Sequence, residues 1–189
     1  MTYESPRALR TALEHQLLAT SRETGVALDR LRRRVLFQRI IARLQAAEPG
    51  LWVLKGGMAL EVRLSNAARS TKDIDVGLRE TVADAADLHD RSITCLSVDP
   101  VGDRFVFEVG EPDQLRGDGG GHVTWRVSVL ATLAGKTFGA IKLDVSPRAH
   151  ELHQPTSCHC PIRLSSPGFR QSRSRSSPSN AMPRRSFMR

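Results

Sequence analysis

The stretch Val53-Leu54-Lys55-Gly56-Gly57-Met58-Ala59-Leu60, followed after a spacer by Arg69-Ser70-Thr71-Lys72-Asp73-Ile74-Asp75-Val76, decides how the rest of the chain is read. Side chains of a strand alternate between its faces, so Asp73 and Asp75 point one way while Ile74 and Val76 anchor the other face in a core. Two carboxylates presented to one point suit Mg²⁺, a hard cation that takes oxygen ligands and keeps positions open for phosphate. The Gly56-Gly57 pair lets backbone N–H groups approach a phosphate closely, at a turn that opens a helix. An isolated Asp-x-Asp is more often a solvated strand edge than a site, and Gly-Gly can be a plain turn. The order apolar strand, Gly-Gly, short helix, polar loop and then Asp-x-Asp in an apolar frame points to a site for a metal-bound nucleotide.

A third acid stands in Ile141-Lys142-Leu143-Asp144-Val145. A carboxylate among apolar residues must be paired, solvated or metal-bound, because burying it alone is costly. Two readings are open: pairing with an Arg or Lys, or service as a third ligand on a strand beside Asp73 and Asp75.

Working outward, Ser5-Pro6 is a helix start, with Leu9, Leu13 and Leu17 forming a stripe and Gly25 a stop. A second helix is expected from about Ala27 to Ala47, with Leu28, Leu31, Val35, Leu36, Ile40 and Leu44 on its apolar side. Its Arg30, Arg32, Arg33, Arg34, Arg39 and Arg43 are expected to form a basic face, either solvated or in contact with RNA phosphates. Strands are expected at Leu51 to Leu54, Asp73 to Leu78, Arg104 to Val109, Val123 to Ala131 and Lys136 to Ser146, the last two as a hairpin turning at Gly135. An acidic helix is expected over Thr81 to Asp90. Gly117 to Gly121 reads as a loop between strands, since no Lys-Ser or Lys-Thr follows it.

The chain has 189 residues, 40% of them hydrophobic, enough for one domain with a core. Its net charge of +8 is unevenly placed: residues 161–189 hold seven Arg and no Lys, Asp or Glu, which leaves residues 1–160 at about +1. Three Cys, one isolated at Cys95 and two in Cys158-His159-Cys160, make no disulfide framework. With no apolar run of membrane-spanning length and no signal-peptide stretch, the cytoplasm is the expected compartment and no membrane partner is expected.

Gly-Gly, a spacer, Asp-Ile-Asp-Val and a later strand Asp resemble the polymerase-beta-type nucleotidyltransferase superfamily. More narrowly, Val53 to Leu60 followed by Arg69-x-Thr71-x-Asp73-x-Asp75 is similar to the AbiEii group, nucleotidyltransferase-like toxins of abortive-infection and type IV toxin–antitoxin systems. The resemblance covers roughly residues 30–150. It implies an α+β fold, a nucleotidyltransferase-like mixed sheet with N-terminal helices. It also implies catalytic and metal-ligating roles for Asp73, Asp75 and Asp144, which would share two Mg²⁺ ions. Lys55, Gly56, Gly57, Met58, Arg69, Thr71 and Lys72 become the nucleotide-binding candidates. Met58 replaces the Ser often found in the superfamily, so a hydroxyl contact to phosphate is lost. The implied reaction transfers a nucleoside monophosphate from a nucleoside triphosphate to an acceptor such as tRNA. The implied protein partner is a cognate antitoxin. The alternatives are a catalytically inactive, truncated remnant, or an RNA-binding module acting through its Arg-rich segments.

The chain is expected to divide into a helical segment at 1–48, a core at 49–153 and a tail at 154–189. Relatives continue into a helical half that opens with a Lys-Leu/Phe-His-Ala-type segment and later supplies another Asp; neither is present here. Residues 161–189 are rich in Ser, Arg and Pro, without apolar periodicity, and read as disordered. Back-translated and read from the third base of each codon, Pro183 to Arg189 admits the absent Lys-Leu/Phe-His-Ala pattern. A frame shift near Gln154-Pro155 is therefore expected, with an out-of-frame tail and the C-terminal helical half missing. Cys158-His159-Cys160 with His150 and His153 offers zinc ligands, though the spacing departs from the usual structural pairs.

Overall fold

Helix α1 (Pro6–Thr24) begins where the Ser5 hydroxyl accepts the Ala8 N–H at 3.1 Å and ends at Gly25, whose φ of 70° favours glycine. Helix α2 (Leu28–Ala47) follows after three residues and buries Leu31, Leu36, Phe37, Ile40 and Leu44. The computed structural model describes residues 3–55, 73–115 and 123–147. Within them lie strands β1 (Trp52–Leu54) and β2 (Asp73–Leu78), helix α3 (Ala85–Ser97), and strands β3 (Phe105–Val109), β4 (Asp113–Leu115), β5 (Thr124–Leu133) and β6 (Lys136–Pro147).

The strands form one mixed sheet in the order β1-β2-β6-β5-β3, with β4 also pairing to β5. Among the described strands only β2 and β6 run parallel; every other pairing is antiparallel. Ile74, Val76, Val127, Val129, Leu143 and Val145 are buried and join the apolar sides of the three described helices in one core. Alternation then sends Asp73, Asp75, Arg126 and Asp144 to the opposite face.

The β5–β6 hairpin turns at Ala134-Gly135, where φ is 54° and 69°. Two residues with positive φ give the turn whose twist matches that of the strands. Arg10 of α1 donates to the carbonyls of Leu133, Lys136 and Thr137 at 2.7–2.9 Å, fixing the first helix over that turn. Close approach is needed further along: a Cβ built on Gly139 would lie 3.0 Å from Cδ1 of Leu36 on α2.

Three features differ from the sequence reading. Helix α3 starts at Ala85, capped by the Asp84 carboxylate accepting from the Asp87 N–H at 2.9 Å, and continues past Asp90 to Ser97. It continues because Leu88, Ser92, Cys95 and Leu96 make a buried side, while Arg91 pairs outward with Glu48 and Glu80 at 2.9 and 2.8 Å. Strand β4 was not expected: two of its three residues are polar, and it forms by pairing with β5 rather than by its own pattern. The expected basic face of α2 is also divided. Arg32 spends its charge on Glu14 at 2.8 Å and Asp29 at 3.3 Å, while Arg39 and Arg43 are buried.

Arg43 is 1% exposed and grips Asp103 with two bonds of 2.6 and 2.9 Å, donates to the Phe105 carbonyl, and stacks 4.7 Å over the Phe107 ring. Arg39 lies 3.3 Å from the same carboxylate, and burial pushes its guanidinium down from the ordinary arginine value. One carboxylate thus ties α2 to the start of β3. Removing it leaves two buried cations with partly exposed Asp99, 3.4 Å from Arg43, as the remaining acid, so Asp103→Ala is expected to cost about 3 kcal/mol in urea unfolding. A loss below about 1 kcal/mol would show that water or another acid replaces Asp103.

Candidate functional site

Strand β2 lies between β1 and β6, and Ile74 and Val76, at 0% and 1% exposure, seat it in the core. Their burial turns Asp73 and Asp75 to the opposite face. On β6, buried Leu143 and Val145 do the same for Asp144. The parallel register sets Asp75 directly beside Asp144 and Asp73 beside Lys142. Strands in register lie about 4.8 Å apart, so three carboxylates share one small patch. Lys55 extends the neighbouring strand by donating its N–H to the Asp75 carbonyl at 2.7 Å.

Arg126 completes the patch from β5, where the antiparallel register sets it opposite Asp144. Its Nε and one terminal nitrogen donate to the two Asp144 oxygens at 2.8 and 2.7 Å, and the same terminal nitrogen reaches Asp73 at 3.4 Å. This planar fork matches a carboxylate and is the strong form of such a pair. The Asp144 contacts hold the guanidinium more firmly protonated than usual. Asp75 has the opposite fate. Burial first, then the charges of Asp144 and Asp73, raise its carboxyl above the ordinary aspartate value, and Lys55 and Arg126 only partly offset this. Beside Asp73 an open cleft of about 430 Å³ is lined by Arg33, Ser128, Ala140, Ile141 and Lys142.

Asp144 is thus paired with an arginine, and it stands beside Asp75 on the adjacent strand. Among the described residues no three ligating side chains are gathered as a cation site. The physical reason is Arg126, which takes both oxygens of Asp144 and leans on Asp73. The donor set nonetheless suits a hard divalent ion, being all carboxylate oxygen, and the guanidinium already stands in for positive charge.

Lys55 is within the described residues, next to Asp75. The other expected nucleotide contacts, Gly56, Gly57, Met58, Arg69, Thr71 and Lys72, lie outside them, as do the loop at Gly117 to Gly121, the Cys158-His159-Cys160 cluster and the tail. Sequence reasoning missed Arg126. Its one sign is a charged residue on the polar side of an alternating strand, and only the register of β5 against β6 identifies its partner.

A family model described as the nucleotidyl transferase AbiEii toxin of type IV toxin–antitoxin systems matches residues 39–177. The match takes in Lys55, Asp73, Asp75, Arg126 and Asp144 and runs on into the segment expected to be out of frame. A crystal structure of an H. pylori protein assigned as a nucleotidyltransferase is similar at 17% identity and a TM-score of 0.38, over 67% of this chain and 48% of that one. The chain thus spans about half the length of that protein. No curated protein matches the chain.

The raised Asp75 carboxyl has a consequence for stability. A group whose native pKa is raised favours folding while it is protonated: the contribution is full below the ordinary aspartate value of about 3.9 and is lost as pH rises through the native value. Asp75→Asn is therefore expected to raise the unfolding free energy at pH 7, by no more than about 1 kcal/mol in a half-solvated site, and the melting temperature with it. The gain should fade towards pH 4. Thermal melts across that range check it, and a variant less stable than the parent at pH 7 would refute the like-charge account.

Proposed function

The chain belongs to the AbiEii family of nucleotidyltransferase toxins of type IV toxin–antitoxin systems, and from that premise we propose that it transfers a nucleoside monophosphate from a nucleoside triphosphate to an RNA acceptor such as tRNA. The observation that carries this reading is the β2–β6 register, which puts Asp75 and Asp144 side by side with Asp73 on the same face.

In the reaction, an acceptor hydroxyl oxygen bonds to the α-phosphorus, the bond to the bridging oxygen breaks, and pyrophosphate leaves. Asp73, Asp75 and Asp144 would hold two Mg²⁺ ions, which when bound neutralise the triphosphate and stabilise the attacking and leaving oxygens. Asp144 takes the hydroxyl proton, directly or through water. Lys55 contributes positive charge to the same patch, and Gly56, Gly57 and Met58 offer backbone N–H groups to the phosphates, with Arg69, Thr71 and Lys72 as further contacts. Lys142 and Arg33 line the cleft beside Asp73 and suit the backbone of an approaching acceptor. A cognate antitoxin is the expected protein partner. The place of action is the cytoplasm, where triphosphates and tRNA are found; among the described residues no helix is long and apolar enough to cross a membrane.

The reading in which α2 binds RNA through a continuous basic face is weakened by the pairing of Arg32 with Glu14 and the burial of Arg39 and Arg43 against Asp103. Incubation with each α-labelled triphosphate and total RNA tests the proposal. Label should pass to RNA, disappear on chelation of divalent ions, and fall at least about 100-fold in Asp73→Ala and Asp75→Ala. Labelling that survives both substitutions would remove the site. No labelling by the parent chain with any triphosphate would favour the inactive alternative.

A further inference from the structure

The sheet face that carries the aspartates shows a row of charges running across four strands. Asp75 on β2 pairs in register with Asp144 on β6, Asp144 with Arg126 on β5, and Arg126 with Asp113 on β4. Residues directly opposite across a strand pair emerge on the same face, close enough to interact. Arg126 therefore lies between two acids. In this structure its fork is committed to Asp144, with a second reach to Asp73, while Asp113 is exposed and takes no part in the pair.

We propose that Arg126 is the internal counter-ion of the three carboxylates, a positioning residue that competes with a divalent cation for Asp144 and turns toward Asp113 when one is bound. This rests on the reading of Asp73, Asp75 and Asp144 as the cation-binding carboxylates.

Three observations support it. The two hydrogen bonds to Asp144 engage both oxygens of that carboxylate and set a positive charge against it, so a cation drawn to Asp144 competes with the guanidinium. The ion pair is reachable from solvent, with Arg126 28% and Asp144 13% exposed, so exchange does not require opening the core. Asp113 offers the displaced guanidinium a second carboxylate without moving the backbone, because it stands in register one strand away. Arg126 has a structural benefit too: without it three acids would face one another with Lys55 and Lys142 as the cations beside them. The fold is then stable without metal, at the cost of a weaker first cation site.

Binding of Mn²⁺, followed through the paramagnetic resonance of the free ion, tests the inference on the full chain without recourse to activity. Arg126→Gln removes the competing charge and its fork, and is expected to bind Mn²⁺ at least about tenfold more tightly than the parent. Arg126→Lys keeps the charge but loses the two-point grip and should fall between them. Asp113→Asn should weaken binding severalfold when Arg126 is present and have no effect in the Arg126→Gln background. The rise in melting temperature on adding Mn²⁺ should be larger for Arg126→Gln than for the parent, which also shows that the variant folds. Unchanged or weaker Mn²⁺ binding by Arg126→Gln, with binding still dependent on Asp75, overturns the inference and leaves the nucleotidyltransferase reading standing. Mn²⁺ binding indifferent to Asp75→Asn overturns both.

Discussion

A slip of one residue between β2 and β6 would turn Asp144 into the core and Leu143 onto the polar face, because strand side chains alternate with a period of two. That slip is opposed from both sides. Ile74 and Val76 on one strand and Leu143 and Val145 on the other are buried between the sheet and its helices, and exposing a buried Leu or Val costs about 1.5–3 kcal/mol. The packing of the apolar face thus sets the geometry of the opposite, acidic one. The parallel pairing of β2 with β6 is the only one of its kind among the described strands, and it joins segments some seventy residues apart in the chain.

The acidic face is a compromise between stability and chemistry. Three carboxylates close together repel, and Asp75 bears the result as a raised pKa. Arg126 relieves part of that repulsion by a two-point pair with Asp144. The structure therefore holds a charge cluster that is tolerable without a divalent ion and has the oxygen donors to receive one. On the helical side, the Arg43–Asp103 pair is a different kind of device. It is almost fully buried, carries no accessible charge, and fixes α2 to β3 so that the sheet is braced behind the site.

Much of this was legible from local pattern. Ser5-Pro6 and Gly25 bound α1 through capping and a positive φ, and the strand limits of β2 follow from Ile74 and Val76 alternating with acids. The hairpin turn at Gly135 follows from glycine's access to the left-handed region. Illegible features share a cause: their partners are distant. Arg39 and Arg43 look like surface residues because helical spacing does not reveal an acid sixty residues further on. Strand β4 has no apolar alternation and exists because β5 offers it an edge. Helix α3 reads as acidic and short until Arg91 finds Glu48 and Glu80.

By itself the sequence determined the chemistry of the centre: Asp73 and Asp75 on one face of a strand, an acid at Asp144 in an apolar frame, and membership of a nucleotidyltransferase toxin family. Those are properties of residue type, spacing and alternation, which act over a few positions along the chain. Only the tertiary structure decided that Asp144 stands beside Asp75, that Arg126 fills the space between the acids, and that Arg39 and Arg43 of α2 are spent inside the molecule. Strand order and register place these groups together, and they are settled by which apolar faces bury best against one another, a property of the whole chain rather than of any segment.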